Sequence, residues 1–239
     1  MTLARIKKLG SAEVRVGRWQ DVLADVLPDV LVSDPPYSEK TCSGHDAADT
    51  MIRDGKARRT MGYPAWSRDD VAEFCQWWAP RTRGWFVAFT DDVLFPVYRE
   101  VLGDLGRFVF AAVPSVQRGM TVRRQGDGHS SWTTWIVAAR PRTKEFAKWG
   151  TLQGAYILPP GFKEKGQKVT GQKTLWVMDQ VVRDHSRAGD LVVDPCCGSG
   201  TTLLAAARAG RNALGCDQSE GAVSIARERL FGTQVSAGE

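Results

Sequence analysis

The chain has 239 residues, of which 43% are hydrophobic and 25% charged, and its net charge at pH 7 is +5. These values are typical of a globular domain with a substantial core, and no apolar run approaches the ~20 residues that a membrane helix needs. The basic N-terminus has no apolar stretch after it, so we expect neither a signal peptide nor a membrane partner.

The first half of the chain predicts short strands that alternate with helices. Apolar residues at helical spacing follow the first strand, and later apolar runs have the length of buried strands. Ser67, with two aspartates in the next turn, is typical of a helix N-cap. Residues 38–66 are polar and have no period, so we expect a mobile loop. The predicted strands are 14–16, 30–33, 85–90 and 108–113, and the predicted helices are 19–27, 67–80 and 95–105.

The second half returns to the same alternation after two less regular segments. Residues 114–131 predict a loop, and residues 141–171 are basic with no convincing period. The predicted strands are 132–139, 191–193 and 213–216, and the predicted helices are 174–186, 201–209 and 219–231. Alternation predicts a parallel sheet covered on both faces, whereas the successive strands 108–113 and 132–139 predict an antiparallel pair at one edge.

The five cysteines include an adjacent pair, and the three histidines are scattered. This pattern is neither a disulfide framework nor a metal-binding motif, so we expect a reducing cytoplasm and no metal. Cys196 and Cys197 are better explained by the packing of small side chains beneath a tight turn than by redox chemistry.

Positive charge is concentrated in residues 115–173, which carry 11 basic and 3 acidic side chains and so sum to +8. The rest of the chain sums to −3. A solvated loop region and a surface that contacts phosphates are both consistent with this distribution.

A glycine-rich turn follows the strand at residues 191–193. Gly198 and Gly200 would let a ligand approach the backbone, and Asp217, at the end of the next strand, could accept hydrogen bonds from ribose hydroxyls. Thr201 stands where a P-loop has lysine, and Leu203 stands where a dinucleotide motif has its third glycine. S-adenosylmethionine is therefore the favoured cofactor, and a tight turn without a ligand is the alternative.

Two motifs together are similar to those of a known family. DPPY at residues 34–37 and DPCCGSGTT at residues 194–202 resemble the catalytic and cofactor motifs of DNA amino-methyltransferases, in the circularly permuted, beta-type order. TGQKT at residues 170–174 and GCDQSEGAVSIARERL at residues 215–230 resemble two further stretches of that family. The resemblance implies one α/β catalytic domain over residues 1–239. Its fold would be the Rossmann-like class I methyltransferase fold, with seven strands, mostly parallel, and one antiparallel strand.

The resemblance also implies roles for individual residues. Strands 30–33 and 191–193 would lie side by side, so that both motifs open into one crevice. The Asp34 carboxylate and the Pro35 carbonyl would accept hydrogen bonds from the target amine, and the prolines would hold these oxygens in place. Tyr37 would stack on a base swung out of the duplex. The implied catalytic residues are Asp34, Pro35, Pro36 and Tyr37. The implied cofactor-binding residues are Asp194, Pro195, Cys196, Gly198, Ser199, Gly200, Thr201, Asp217 and Lys173, of which Lys173 would hold the cofactor carboxylate.

Three positions depart from the pattern of the family. Cys196 stands where phenylalanine is usual, which leaves a gap beside the cofactor unless another aromatic ring fills it. Thr174 follows Lys173 where proline is usual. Arg18 stands where an aspartate is frequent, so no adenine contact is assigned to it.

The combined reading is an S-adenosylmethionine-dependent adenine-N6 methyltransferase that acts on double-stranded DNA in a bacterial or phage-derived cytoplasmic setting. A cytosine-N4 enzyme, a structured-RNA substrate and a non-catalytic regulator are the alternatives. Residues 115–171 would form an embedded DNA-contact segment, with Arg118, Arg123 and Arg124 as candidates, and residues 38–66 would close over the flipped base. The recognition sequence, a restriction partner and a homodimer stay open.

Overall fold

The computed structural model describes residues 10–42, 64–118, 129, 131–162, 164 and 171–232. Within these ranges one sheet lies at the centre and helices cover it. Residues 39–42 are also helical. The strands are β1 Ala12–Val16, β2 Val30–Ser33, β3 Phe86–Thr90, β4 Phe108–Val109, β5 Val113–Val116, β6 Thr133–Arg140, β7 Tyr156–Ile157, β8 Leu191–Asp194 and β9 Asn212–Asp217. The helices are α1 Trp19–Val22, α2 Arg68–Arg81, α3 Phe95–Asp104, α4 Lys144–Ala147, α5 Leu175–His185, α6 Thr201–Arg208 and α7 Glu220–Phe231.

All described strands except β6 run in one direction. The order across the sheet is β1-β9-β8-β2-β3-β6-β5-β7, and β4 pairs with β6. β6 is antiparallel to β3, β4 and β5, whereas the other described pairs are parallel. The expected α/β fold, with a mostly parallel sheet and one antiparallel strand, is confirmed. The described sheet has nine strands instead of seven because the strand predicted over residues 108–113 is divided in two, and because β7, only two residues long, is too short to show a period.

The strand predicted over residues 108–113 is divided into β4 and β5. Val109 pairs with Ala139 and Val113 with Ile136, so four steps along one strand oppose three along the other. An extra residue in an antiparallel pair is a β-bulge, which interrupts the ladder and turns the strand. The expectation that this pair lies at an edge is wrong, because β7 pairs with β5 on the side away from β6.

Two other segments differ from their predictions. The helix expected over residues 19–27 ends at Val22. Pro28 disfavours the helical conformation of Leu27, while Leu23 is fully buried without being helical. Residues 141–171, which show no period, contain the short elements α4 and β7. The remaining predicted strands and helices agree with the structure within two residues at each end.

The sheet separates two apolar cores, and β3 contributes to both. Val87 and Phe89 belong to the core that includes residues of α5, α6 and α7, whereas Phe86 and Ala88 belong to the core that includes residues of α2 and α3. Every residue of β2 and β3 is buried. Helices on both faces therefore explain why these strands read as continuous apolar runs.

Hydroxyl and carboxylate side chains determine where several helices begin. Ser67 caps α2 as predicted: its side chain accepts from the Asp70 N–H, and the Asp70 side chain accepts from the Ser67 N–H. Thr174 and Ser219 are the N-caps of α5 and α7, and the side chain of each accepts one backbone hydrogen bond. Among the described residues, no helix has both the length and the apolar character that crossing a membrane requires.

Candidate active site

The carboxyl ends of β2 and β8 bring the two sequence motifs together. Val30 pairs with Val192 and Leu31 with Val193 in a parallel ladder. At the end of this ladder the Ser33 hydroxyl donates a hydrogen bond of 2.7 Å to Asp194 Oδ1, across 161 positions of the sequence. Because parallel strands end at the same edge, both following loops open into one crevice.

A cavity of about 560 Å³ occupies this crevice. Its volume lies within the range typical of small-ligand sites. The predicted site residues that line it are Asp34, Pro36, Lys173, Asp194, Pro195, Cys196, Gly198, Ser199, Thr201 and Asp217. Of the other predicted residues, Pro35 is buried, Tyr37 contacts Asp34 through its hydroxyl, and Gly200 is the N-cap of α6.

Asp34 lies at one end of the cavity and is held by two donors. The Tyr37 hydroxyl donates to Asp34 Oδ1 at 2.8 Å, and the Lys173 ammonium donates to Asp34 Oδ2 at 2.8 Å. The side chains of Lys173 and Asp34 are 17% and 23% exposed, so water screens this ion pair only in part. Tyr37 and Lys173 thus contact Asp34 directly, contacts that the sequence did not predict.

Asp91, at the end of β3, anchors the loop that follows Tyr37. One carboxylate oxygen accepts from the Ser38 N–H and from the hydroxyls of Ser38 and Thr41, and the other accepts from the N–H groups of Val93 and Leu94. Burial alone would raise the pKa of Asp91, but these hydrogen bonds hold it below its usual value. Sequence reasoning missed this residue, although an acid between a buried strand and a helix is a recognisable capping signal.

The glycine turn is built around left-handed backbone at two positions. Gly198 and Gly200 have φ values of 49° and 75°. A Cβ on Gly200 would lie 2.9 Å from the Ala226 Cβ, whereas a Cβ on Gly198, which lines the cavity, would meet nothing within 4 Å. Gly200 is therefore required by the packing of the turn against α7, and Gly198 leaves open space for a ligand.

Asp217 connects the glycine turn to the end of β9. Its Oδ2 accepts from the Gly198 N–H at 2.9 Å, and its Oδ1 accepts from the Ser219 N–H at 2.9 Å. Each carboxylate oxygen has a second lone pair, so Asp217 can still accept hydrogen bonds from a ligand in the cavity.

Asp194 is 1% exposed and organises the turn from below. Its Oδ1 accepts from the Ser33 hydroxyl and from the Cys196 N–H at 3.1 Å. Burial raises the pKa of Asp194 to about 7, although hydrogen bonds from Thr202, Ser33 and Cys196 act in the opposite direction. The hydrogen bonds of Asp194 thus go to the protein, and the residue holds the shape of the site.

Arg229 of α7 supports the glycine turn from its outer side, a role that the sequence did not reveal. Its guanidinium donates to the Ser199 carbonyl at 2.6 Å and to the Ser199 and Thr201 hydroxyls at 2.9 Å. The Ser199 hydroxyl donates in turn to Gln172 Oε1 at 3.1 Å. This chain of bonds links the turn to the backbone segment that carries Lys173.

The cysteines near the turn have neutral thiols, of which Cys197 and Cys216 are buried and Cys196 is half-buried. Burial raises the pKa of Cys196 and Cys197 well above the usual thiol value, and that of Cys216 to about 12. A neutral thiol is a poor nucleophile and a poor metal ligand. Within the described ranges, no group of three or more His, Cys, Asp or Glu side chains could hold a metal ion. Two tryptophans, Trp19 and Trp66, line the same cavity as Cys196.

The candidate DNA-contact residues are only partly described. Arg118 is exposed and follows β5, at the same carboxyl edge of the sheet as Asp34. Arg123 and Arg124 lie outside the described residues, as do residues 43–63 of the expected loop over 38–66. The described part of residues 115–171 contributes β6 and β7 to the central sheet.

Comparisons with known proteins agree with this architecture. Residues 155–228 match the family model of N6/N4 methyltransferases, described as DNA methylase. Type II methyltransferase M2.DpnII of Streptococcus pneumoniae is 37% identical over 59 residues, which are 25% of this chain and 22% of that protein. M2.LlaDCHI of Lactococcus lactis subsp. cremoris is 32% identical over 71 residues, which are 28% of this chain and 26% of that protein. The matched segments thus span about a quarter of these curated relatives.

Solved structures are similar over nearly the whole chain. The M1.HpyAVI–SAM complex has a TM-score of 0.65 at 19% identity, with 92% of this chain and 99% of that chain covered. PvuII DNA methyltransferase, which is cytosine-N4-specific, has a TM-score of 0.67 at 13% identity, with 96% and 89% covered. At these identities the likeness shows the fold alone.

The permuted sheet and the crevice between β2 and β8 define an α/β protein of the class I methyltransferase fold. Residues 155–228 are similar to the N6/N4 DNA methyltransferase family, and the two curated relatives are type II methyltransferases.

Proposed function

We propose that this protein transfers a methyl group from S-adenosylmethionine to the exocyclic N6 of adenine in double-stranded DNA. The observation that carries the proposal is the junction of β2 and β8, where the Asp34 loop and the glycine turn line one cavity. A carboxylate suited to hold an amine and a turn suited to hold a nucleoside cofactor are the two components that this reaction needs.

The residues around the cavity fit such a cofactor. Asp217, Asp194 and Asp34 follow one another along the sheet edge on β9, β8 and β2, so the first and last of these strands are about 10 Å apart. Asp217 offers lone pairs for ribose hydroxyls, and the open space at Gly198 lies beside it. Lys173 offers a positive charge for a carboxylate at the opposite end. When bound, S-adenosylmethionine supplies an electrophilic methyl group on a sulfonium.

The chain's own residues would act on the amine by position. The lone pair of an exocyclic amine is delocalised into the base, which makes the nitrogen a poor nucleophile. Hydrogen bonds from the amine to the Asp34 carboxylate and the Pro35 carbonyl would favour tetrahedral geometry at nitrogen and make its lone pair available for attack. Pro35 and Pro36 restrict φ near −65° and so limit the freedom of these two acceptors. The methylated nitrogen then releases one proton, for which the Asp34 carboxylate is a nearby acceptor on the path to water.

The DNA would approach the carboxyl edge of the sheet. Extrusion of the target base is required because the amine is otherwise inside the duplex stack. Tyr37 would then lie beside the extruded base, and Arg118 would face the phosphates together with Arg123 and Arg124. Cytosine-N4 is the second candidate acceptor, because an amine on either base could make the same two hydrogen bonds. The Asp at position 34 favours adenine, since the cytosine-N4 members that the sequence resembles more often begin this motif with serine.

Nucleoside analysis of DNA tests the proposal. The chain is expressed in cells that lack their own DNA methylation, and the DNA is digested and analysed by mass spectrometry. We expect N6-methyladenine with the wild-type chain and none with Asp34→Ala, while the purified variant still binds S-adenosylmethionine. N4-methylcytosine in place of N6-methyladenine would overturn the choice of base. Full activity of Asp34→Ala would remove this residue from the mechanism.

A further inference from the structure

Lys173 is the only basic side chain among the described residues that line the cavity, whereas Asp34, Asp194 and Asp217 also line it. Its ammonium lies 5.0 Å from the ring centroid of Tyr37 and 5.4 Å from that of Phe89. A partly buried ammonium among aromatic rings is stabilised by a nearby anion, and Asp34 is that anion here. Among the described lining residues, an anionic group on a ligand would pair with the same ammonium.

Two requirements of the reaction therefore meet at Lys173. The target amine needs acceptor positions on Asp34, whose two oxygens already accept from Tyr37 and Lys173. The carboxylate of the methyl donor needs a cation, and within the part of the chain that the structure describes Lys173 is the one that lines the cavity. Lysine has a flexible stem and a compact charge, so it can change partners without a change in the backbone. The neighbouring Gln172 is meanwhile tied to the glycine turn through Ser199.

We propose that Lys173 exchanges partners: it pairs with Asp34 in the cofactor-free protein and with the carboxylate of the bound methyl donor, so that cofactor binding releases Asp34 for the target amine. This inference rests on the proposed function and adds an order of events to it. The Asp34 carboxylate loses its charged competing donor only after the cofactor is in place. A base extruded earlier would have to share this carboxylate with the Lys173 ammonium, a charged donor that binds it more strongly than an exocyclic amine does.

The exchange makes a prediction about binding that needs no DNA. S-adenosylhomocysteine carries the carboxylate, whereas 5′-methylthioadenosine lacks it, and both are uncharged at sulfur. If the Asp34–Lys173 pair competes with the ligand, the apparent dissociation constant equals the intrinsic one divided by the fraction of molecules in which Lys173 is not paired with Asp34. Asp34→Asn should then strengthen binding of S-adenosylhomocysteine by about threefold to tenfold and leave 5′-methylthioadenosine within about twofold.

Isothermal titration of both ligands into four proteins tests the exchange. The proteins are the wild type, Asp34→Asn, Lys173→Met and the double variant. Lys173→Met should remove most of the preference for S-adenosylhomocysteine, and Asp34→Asn should give no further gain in that background. Lys173→Arg, which keeps the charge, should retain the preference. Asp92→Asn removes one charge of an exposed ion pair with Lys40; it is the matched control and should change the binding of neither ligand.

The outcomes separate this inference from the function on which it rests. A gain from Asp34→Asn that persists without Lys173 would show simple repulsion between two carboxylates and would overturn the exchange. No gain in either background would also overturn it, with the cofactor site itself still supported by binding. If neither ligand binds the wild type, both the proposed function and the exchange are contradicted. Binding of 5′-methylthioadenosine to each variant shows that its site is folded.

Discussion

Asp194→Asn removes the charge of a buried side chain while keeping its shape. The amide oxygen can still accept from the Ser33 hydroxyl and the Cys196 N–H, and the Thr202 hydroxyl can accept from the amide NH₂. Because Asp194 is 1% exposed, little solvent screens this site. The variant therefore isolates the contribution of one ionisable group to stability.

The pKa gives both the sign and the size of the effect. Burial raises the pKa of Asp194 to about 7 in the folded protein, compared with about 3.9 in an unfolded chain. Between these values the folded state binds a proton that the unfolded state does not. The free energy of unfolding therefore increases as the pH falls, and the gain is lost as the pH rises through the folded pKa. At ~1.4 kcal/mol per pKa unit, this pKa difference changes the free energy of unfolding by about 4 kcal/mol in total. About 2 kcal/mol of that change falls between about pH 8 and pH 5.5.

Urea unfolding of both proteins, followed by tryptophan fluorescence, measures this contribution. The stability of the wild type relative to Asp194→Asn should increase by about 2 kcal/mol when the pH is lowered from about 8 to about 5.5, because other groups titrate alike in both proteins. Ser33→Ala removes a hydrogen bond that lowers the pKa of Asp194 and should move the transition to higher pH. If the free energies of unfolding of the wild type and of Asp194→Asn change equally with pH over this range, the argument from burial is refuted.

The glycine turn and the loop after Tyr37 provide two further tests. Gly200→Ala should destabilise the protein by about 1–3 kcal/mol more than Gly198→Ala, because both have left-handed φ but only a Cβ on Gly200 meets Ala226. Equal losses in thermal or urea unfolding would exclude that contact. Asp91→Ala should cost about 1–3 kcal/mol because its buried donors lose their acceptor, and it should lower the rate of methyl transfer at temperatures where the variant is folded. Its exposed neighbour is the control: if Asp92→Ala lowers the rate as much, Asp91 has no special role in the loop.

Local patterns in the sequence were sufficient for most elements of the fold. Continuous apolar runs identified β2 and β3, and a capping residue identified the start of α2 at Ser67. The limits of this approach appear where local preference is overridden. The helix that the spacing of residues 19–27 predicts ends at Val22, well before Leu27, whose helical conformation Pro28 disfavours, and the bulge between β4 and β5 has no local signal.

The residue types of the site could also be read from the sequence, through DPPY and the glycine turn, but their partners could not. Lys173 was expected to bind a ligand, and its contact with Asp34, 139 positions earlier in the chain, was not expected. Asp91 and Arg229 gave no motif, yet each holds a loop of the site through several hydrogen bonds. Such contacts depend on which side chains the strand order brings to one edge.

The sequence by itself determined the types of the elements, the position of the two motifs and the charge of the segment over residues 115–173, because periodicity, capping and composition act over a few neighbouring residues. Only the tertiary structure decided that β2 lies against β8, that Asp194 is buried beneath the turn, and that Lys173 reaches Asp34. The physical reason is that pairing between distant segments, and the desolvation that accompanies it, depend on how all the strands are ordered at once.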